Sequence, residues 1–468
     1  LMYKSIQHFL DNSIENIQKR IRNQIVEGQD IGQISKGLHS DLLNLGTSMI
    51  AEILEDMDHE LRVSEERKKN YEIVNRRHNS FLTKMGKVRY ERTCFKKKRG
   101  NETEYIVDRM FGIKPHENIA SDVEEEVINE AMQTSYRKSG VQAIGTADEL
   151  SKQTVMNCLK RYDFDFPEED ISGEKKKSRI IYIEADEDHV ALQTGGIVMP
   201  KLVYVHEGLM CENFKSDRKR LVNAKYFAST GETHTRLWER VLDYIYEKYD
   251  WDFIDKIYIA GDGAGWIRAG TRIIDKSHFV LDRYHLKKYT KKASAHMDDI
   301  TQKTLRNALH DANKASVEAI LERITELTEE ESRRNTVIEA AKYFSNNWDG
   351  IQIYVSDKAN IVGCSAEGHI SHIYSSRLSS RPKGWSRKCV ANMANLIVYK
   401  LNGGKIIDLV ALRRKEEEKK QISINQRGKT ETFARMKHEF YKNTDIPVIS
   451  QGKRTCLAGL LKEIRGVC

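Results

Sequence analysis

The sequence has no apolar run of about 18 residues, the length a membrane-spanning helix needs, so no membrane partner is expected. Its first residues, LMYKSIQHFL, contain no signal-peptide hydrophobic region, which points to the cytoplasm. Leu1 before Met2 suggests an upstream truncation or an uncertain start. The seven cysteines are scattered and form no Cys-x-x-Cys pair, which argues against a disulfide framework or a structural zinc site. Internal repeats and low-complexity tracts are also missing. What is present is an ordinary soluble composition, 31% charged and 39% hydrophobic, with a net charge of +8. The basic surplus is clustered, and clusters matter more than totals for binding a polyanion. At 468 residues the chain is long enough for several domains.

Residues 1–80 read as a helical region, with apolar positions three and four apart in IQHFLDNSIENIQKRI and LLNLGTSMIAEILEDMDHEL. Residues 81–115 read as a small basic β unit. Val88, Tyr90, Thr93 and Phe95 in a Lys/Arg-rich run, then a Gly-Asn break, predict a strand hairpin. Residues 116–166 return to helix. SDVEEEVINEAMQTSYRKSG predicts one helix from an N-cap at Ser121 to near Gly140. A short helix, a Gly-Thr break and a Ser151-capped helix then have helix-turn-helix proportions, although a plain helical hairpin fits the same pattern. Under the first reading Lys152, Gln153 and Asn157 lie where side chains reach base edges. PEEDISGEKKKS, 167–178, is a linker by composition.

From residue 179 the order is strand, strand, strand, helix, strand, short helix, strand, helix. That is the order of an α/β RNase H-like core, a mixed five-stranded sheet with flanking helices, here over 178–290 and 361–405. Residues 291–360 form a helical insertion in this reading, and 406–468 a C-terminal helical tail.

Three acids stand at special places in this layout. Asp186 ends the first strand, in YIEADEDHV; Asp262 ends the fourth, in YIAGDGAGWI; Glu367, in CSAEGHISHIY, lies on the last helix. The first and fourth strands are neighbours in this order, so their carboxyl ends would sit side by side, where α/β sheets place their sites. Hard divalent cations prefer such oxygens. Two ions about 4 Å apart can activate an attacking oxygen and stabilise a leaving one at a phosphodiester. Gly261 and Gly263 would let backbone, metal and a bulky phosphate approach Asp262 closely. Acids at strand ends are also common in turns, and Asp188 competes with Asp186. Arg377, Arg381, Lys383, Arg387 and Lys388 follow Glu367 in RLSSRPKGWSRK, a position suited to phosphate contacts. Trp266 and Trp385 fit either base-stacking platforms or core tryptophans.

The motifs YIEADEDHVALQ, YIAGDGAGWI, VLDRYHLKKY and CSAEGHISHIYSSRLSSRPKGWS, in that order, resemble bacterial insertion-sequence transposases of the ISLre type. That group often appears as an uncharacterised protein family and is related to the Mutator-like DDE transposases. The resemblance covers most of the chain. It implies a DDE triad of Asp186, Asp262 and Glu367 and two Mg²⁺ or Mn²⁺ ions. It also implies cleavage and strand transfer of double-stranded DNA at the element's terminal inverted repeats, into target DNA. A homo-oligomer on DNA in a nucleoid-associated, cytoplasmic setting goes with it. LDRYHL resembles the motif that follows the second Asp in Mutator-like enzymes, carried here by Asp282 and His285, with Asp282 where a Cys often stands. His285 could order the site or a phosphate, or be a structural histidine. The competing functions are a sequence-specific DNA-binding protein with an inactive nuclease-like domain, and an RNase H-like nuclease that does not join strands.

Overall fold

The computed structural model of the chain describes residues 3–425 apart from 29, 116, 145–148, 168–172, 212–218 and 382–383. The chain divides into two compact units, Leu1–Arg161 with the segment from Ile406 onward, and Tyr162–Lys405. No helix among the described residues is long and apolar enough to cross a membrane.

In the first unit, helix Ile31–Val63 starts at Asp30, whose side chain accepts the Gln33 amide, and buries Leu54, Asp58 and Leu61 near its end. Those residues meet a hairpin of β1 (Tyr71–Thr83) and β2 (Gly86–Lys97), with β3 (Thr103–Glu104) added to β2. Buried Asp58 is satisfied by the amide of Thr93 at 2.9 Å and its hydroxyl at 2.6 Å. Strand β1 corrects the expectation of helix through residue 80. Residues 72–78 are exposed, so no in–out alternation marks them. Pairing such as Arg77 with Arg92 on β2 makes them a strand.

The single helix expected to run from Ser121 to near Gly140 is two, Ser121–Ala131 and Tyr136–Gln142. Ser135 interrupts it, its side chain accepting the Lys138 amide as a new N-cap. Ala120, not Ser121, takes the first cap position. Helix Lys152–Lys160 follows, capped by Ser151. Helix Ile406–Asn425 returns to this unit, where buried Arg413 meets buried Glu124 at 2.5 Å.

The second unit is built on a mixed sheet. Its strands are β4 (Ile180–Glu187), the short β5 (Val190–Ala191) and β6 (Ile197–Val198), β7 (Lys201–His206), the short β8 (Leu209–Cys211) and β9 (Lys219–Leu221), β10 (Lys225–Ser229), β11 (Lys256–Gly261) and β12 (Ser277–Leu281). The five-stranded sheet has the order β10-β7-β4-β11-β12, antiparallel as far as β4 and parallel beyond it. The β8–β9 hairpin is extra to the expected order; it takes up the ends of what read as two longer strands. Ile181, Ile183, Ile257 and Ile259 bury one sheet face under Trp238, Val241 and Ile245 of helix His234–Lys248. The opposite face carries Tyr182, Tyr258, Ala260 and Val280.

Between β12 and Glu367 the chain is helical: Arg283–Ser294, Asp299–His310, Lys314–Leu327, Glu331–Asn346 and Trp348–Ser356. Leu305, Leu321, Val337 and Phe344 of these helices belong to one apolar cluster with the sheet residues Phe279 and Leu281. The helices therefore extend the sheet's core and do not enclose a core of their own.

Asp357, at the end of the last of these helices, accepts hydrogen bonds from Lys256 and Tyr258 of β11. Those two bonds hold its carboxyl down to about 2. A folded value below the unfolded value of about 3.9 stabilises the fold above pH 4. That stabilisation is lost as pH falls from about 4 to about 2. Asp357→Asn should cost about 1 kcal/mol near pH 6, after allowance for solvent screening. In urea unfolding followed by circular dichroism, the gap from wild type should shrink toward pH 2.5. A gap that stays constant over that range would show that the carboxylate does not stabilise this junction.

Candidate functional site

Parallel pairing sets Ala260 of β11 beside Glu184 of β4. Two residues further along both strands the same register brings Asp262 beside Asp186, on one face of the sheet. Gly261 is required by packing: a Cβ there would lie 2.8 Å from the Ala185 carbonyl oxygen and 2.7 Å from Ile267. Gly263 has a φ of +91°, and a Cβ on it would lie 2.3 Å from the side chain of Asn347. The close approach of backbone expected at these glycines is therefore present, made at Gly261 by the Ala185 carbonyl. The space beside them is filled by protein, and their role is to let β4 and helix Glu331–Asn346, with its cap Asn347, close on the Asp262 turn. Tyr343 of that helix also donates to the Asp262 carbonyl oxygen at 2.6 Å. The Asp262 carboxylate itself accepts the Ala264 amide at 2.8 Å.

Glu367 lies on helix Ala366–Ile370, its side chain 48% exposed and therefore open to a ligand. His285 Nε2 is 3.9 Å from it. Burial of Asp186, with repulsion from Asp262 and Glu367 added and a hydrogen bond from the Glu187 amide opposing, lifts the Asp186 carboxyl to about 7. Asp186 thus feels both of the other acids. Among the described residues, no three acid, histidine or cysteine side chains close around one point at ligand distance. A buried carboxylate facing two others is relieved by a proton or a cation, and an all-oxygen donor set suits Mg²⁺ or Mn²⁺.

Asp282 and His285 act together. Asp282 caps helix Arg283–Ser294 by accepting the Tyr284 amide, and its other oxygen meets His285 Nδ1 at 3.1 Å. That hydrogen bond raises the imidazole pKa, burial opposes the rise, and Asp262 and Asp186 add to it. Asp282 therefore fixes the ring that faces the acids.

Asp188 is not equivalent to Asp186. It is 6% exposed, and its Oδ1 accepts from Ser375 at 3.0 Å and Ser379 at 2.8 Å. Sequence reasoning missed its counterpart, Glu184, also buried. Glu184 accepts the Ser365 amide at 2.5 Å, the Ser365 hydroxyl at 2.9 Å and the Tyr204 hydroxyl at 2.5 Å, and meets His206 at 3.1 Å. Glu184 and Asp186 share one face of β4 by their period of two, and Asp188 follows one residue past its end. The outer two fasten the chain on either side of Glu367. The spacing of these acids is visible in the sequence; their serine partners carry no signal there.

Several expected contact residues are placed otherwise. Trp266 and Trp385 are 6% and 4% exposed, so neither is a base-stacking platform. Trp266 packs near Trp238 with Lys201 over its ring, and Trp385 donates to the Leu378 carbonyl. Arg377 is buried, its guanidinium 4.7 Å from the Trp385 ring, and is not a surface phosphate contact. Arg381 and Arg387 are exposed, and Lys388 pairs with Asp163 at 2.5 Å. Lys383 lies outside the described residues. In the first unit, Lys152, Gln153 and Asn157 are exposed, the last two hydrogen-bonded at 3.1 Å, while Val155, Cys158 and Leu159 face inward.

A family model described as "Uncharacterised protein family (UPF0236)" matches residues 24–419. The chain belongs to the UPF0236 family. A UPF0236 protein of Caldanaerobacter subterraneus subsp. tengcongensis is 36% identical over 455 residues, covering 97% of this chain and 96% of the relative. A second from that organism, whose name joins a series of locus designations from TTE0033 to TTE2212, is 37% identical over 422 residues, 90% of this chain and 89% of the relative. The "UPF0236 protein in vanSb 3'region" of Streptococcus gallolyticus is 25% identical over 402 residues, 80% of this chain and 86% of the relative.

In this UPF0236 chain the Glu184 clamp can be tested directly. Glu184→Gln puts an amide where three donors converge, and losing a charge-assisted bond costs about 1.5–3 kcal/mol. Amide hydrogen exchange at Ser365–Ile370 should speed up by about 10- to 100-fold. Exchange within β11 should stay as in wild type. Unchanged protection at Ser365 would remove Glu184 as the anchor of the Glu367 helix.

Proposed function

We propose that this chain is a DDE transposase that cleaves and joins the DNA ends of its own insertion sequence, with an RNase H-like core. The observation that carries the reading is the registered pair Asp186 and Asp262, with Glu367 on a helix that Glu184 holds to the same strand. The strand order, with its antiparallel half meeting a parallel half at β4, supports an RNase H-like arrangement. The motif resemblance supports the same reading. So does the naming of one relative by a series of loci in a single genome, the pattern expected of a sequence that copies or moves itself.

The residues divide the work. Asp186, Asp262 and Glu367 would hold two Mg²⁺ or Mn²⁺ ions. The ions, when bound, supply activation of an attacking oxygen and stabilisation of a leaving oxygen at a phosphodiester. His285, oriented by Asp282, presents Nε2 toward Glu367 and can donate a hydrogen bond there or to a phosphate oxygen. The basic hairpin and helix Lys152–Lys160 of the first unit are the elements assigned to the terminal inverted repeats. Exposed Arg381 and Arg387 are assigned to phosphates. The working form is a homo-oligomer on double-stranded DNA.

Asp262→Asn preserves shape and removes one charge. It should abolish Mg²⁺-dependent nicking of end-labelled element DNA while leaving gel-shift affinity for that DNA within about threefold, since ligand and base contacts lie on different residues. Nicking by the variant at the wild-type rate would sink the triad. Binding by wild type without nicking or strand transfer would favour a DNA-binding protein with an inactive core. Nicking without joining to a supercoiled target would favour a simple nuclease.

A further inference from the structure

Helix Arg283–Ser294, sequence RYHLKKYTKKAS, has no acidic residue. Thr290, Ala293 and Ser294 are buried, and Tyr289 stacks on Tyr343 at 3.8 Å. The remaining face is exposed and carries Arg283, Tyr284, Lys287, Lys288, Lys291 and Lys292. Among the described residues, none of these lysines pairs with a carboxylate. The neighbouring helices differ: Lys314 faces Glu318, and Arg333 faces Glu330. Lysines in the last turn suit the helix dipole, but that does not account for Lys287, Lys288 or Arg283. The helix begins at Asp282 and carries His285 on its first turn, so the cationic face starts beside the three acids. A polyanion approaching three carboxylates needs such a counter-field. Tyr284 is 51% exposed, with Lys288 5.9 Å from its ring centre. It is an open aromatic next to the site, in the role that buried Trp266 and Trp385 cannot fill.

We propose that the exposed face of helix Arg283–Ser294 is a nucleic-acid track leading out of the site. Lys287, Lys288, Lys291 and Lys292 contact neighbouring phosphates of the bound DNA, and Tyr284 stacks on a base next to the phosphate held at the acids. The inference rests on the DNA-transposase reading and adds the path of the substrate. Positions four apart rise about 6 Å along a helix, so from Arg283 to Lys291 the track spans about 12 Å.

The test uses the full chain and a labelled duplex of random sequence, because phosphate contacts do not read bases. Replacing all four lysines by Gln should make the plot of log affinity against log salt shallower by about 3, at about 0.9 per phosphate contact. A control that removes four cations from the mixed-sign helices (Lys303, Lys314, Arg323 and Lys342 to Gln) should leave the slope within about 1 of wild type. On a single-stranded probe, Tyr284→Ala should weaken binding about tenfold and Tyr284→Phe should restore it. Equal slopes for the lysine variant and wild type would overturn the track, as would equal losses in the track and control variants. An unchanged Tyr284→Ala affinity would overturn the stacking role. If wild type cleaves element ends and the slopes are equal, only the track fails. If wild type shows no salt-dependent DNA binding, the functional reading fails with it.

Discussion

The structure depends on one strand and the residue just past its end, where three acids two residues apart are used differently. Glu184 and Asp186 alternate along β4 and Asp188 follows just past its end, so all three face the segment that bears Glu367. Glu184 takes Ser365 before that helix, and Asp188 takes Ser375 and Ser379 after it. Both outer acids are buried; hydrogen bonds satisfy Glu184 and the Oδ1 of Asp188, whose Oδ2 is buried without a hydrogen-bond partner. Asp186, between them, has only a local bond from the Glu187 amide and is left facing Asp262 and Glu367. The strand thus fixes a distant segment at two points and keeps the middle carboxylate strained by its neighbours.

The other acid-bearing strand is fixed from outside the sheet. Tyr343 donates to the Asp262 carbonyl, Asn347 packs against Gly263, and Arg268 meets Asp349 at 2.8 Å. All three braces come from the helical span between β12 and Glu367. Because those helices share the core of the sheet, they act as a wall of the site.

The five-stranded mixed sheet was legible in the sequence because its strands are continuous apolar runs, such as IIYI and IYIA, bounded by polar turns. The neighbourhood of the first and fourth strands followed from element order. Features set by partners far away in sequence were not legible. Glu184 reads as an interruption of an apolar strand, and its meaning depends on a serine some 180 residues later. Arg377 and Trp385 read as a basic, aromatic loop until the guanidinium is found over the indole, both buried. Strand β1 was hidden for the opposite reason: its middle is exposed on both faces, so neither period appears in the side chains.

The tryptophans show how the same residue types can be assigned to the wrong job. An aromatic beside a glycine-rich turn suggests an open platform, but a large apolar side chain near a strand end is worth more to the fold when buried. Trp266 and Trp238 fill the angle between the sheet and helix His234–Lys248, and the Trp238 indole donates to the Trp266 carbonyl at 2.7 Å. The aromatic that stays open is Tyr284, on a helix whose inward positions are already occupied by Tyr289 and Ala293. What a side chain near this site can do for a ligand is therefore decided first by whether the core has claimed it.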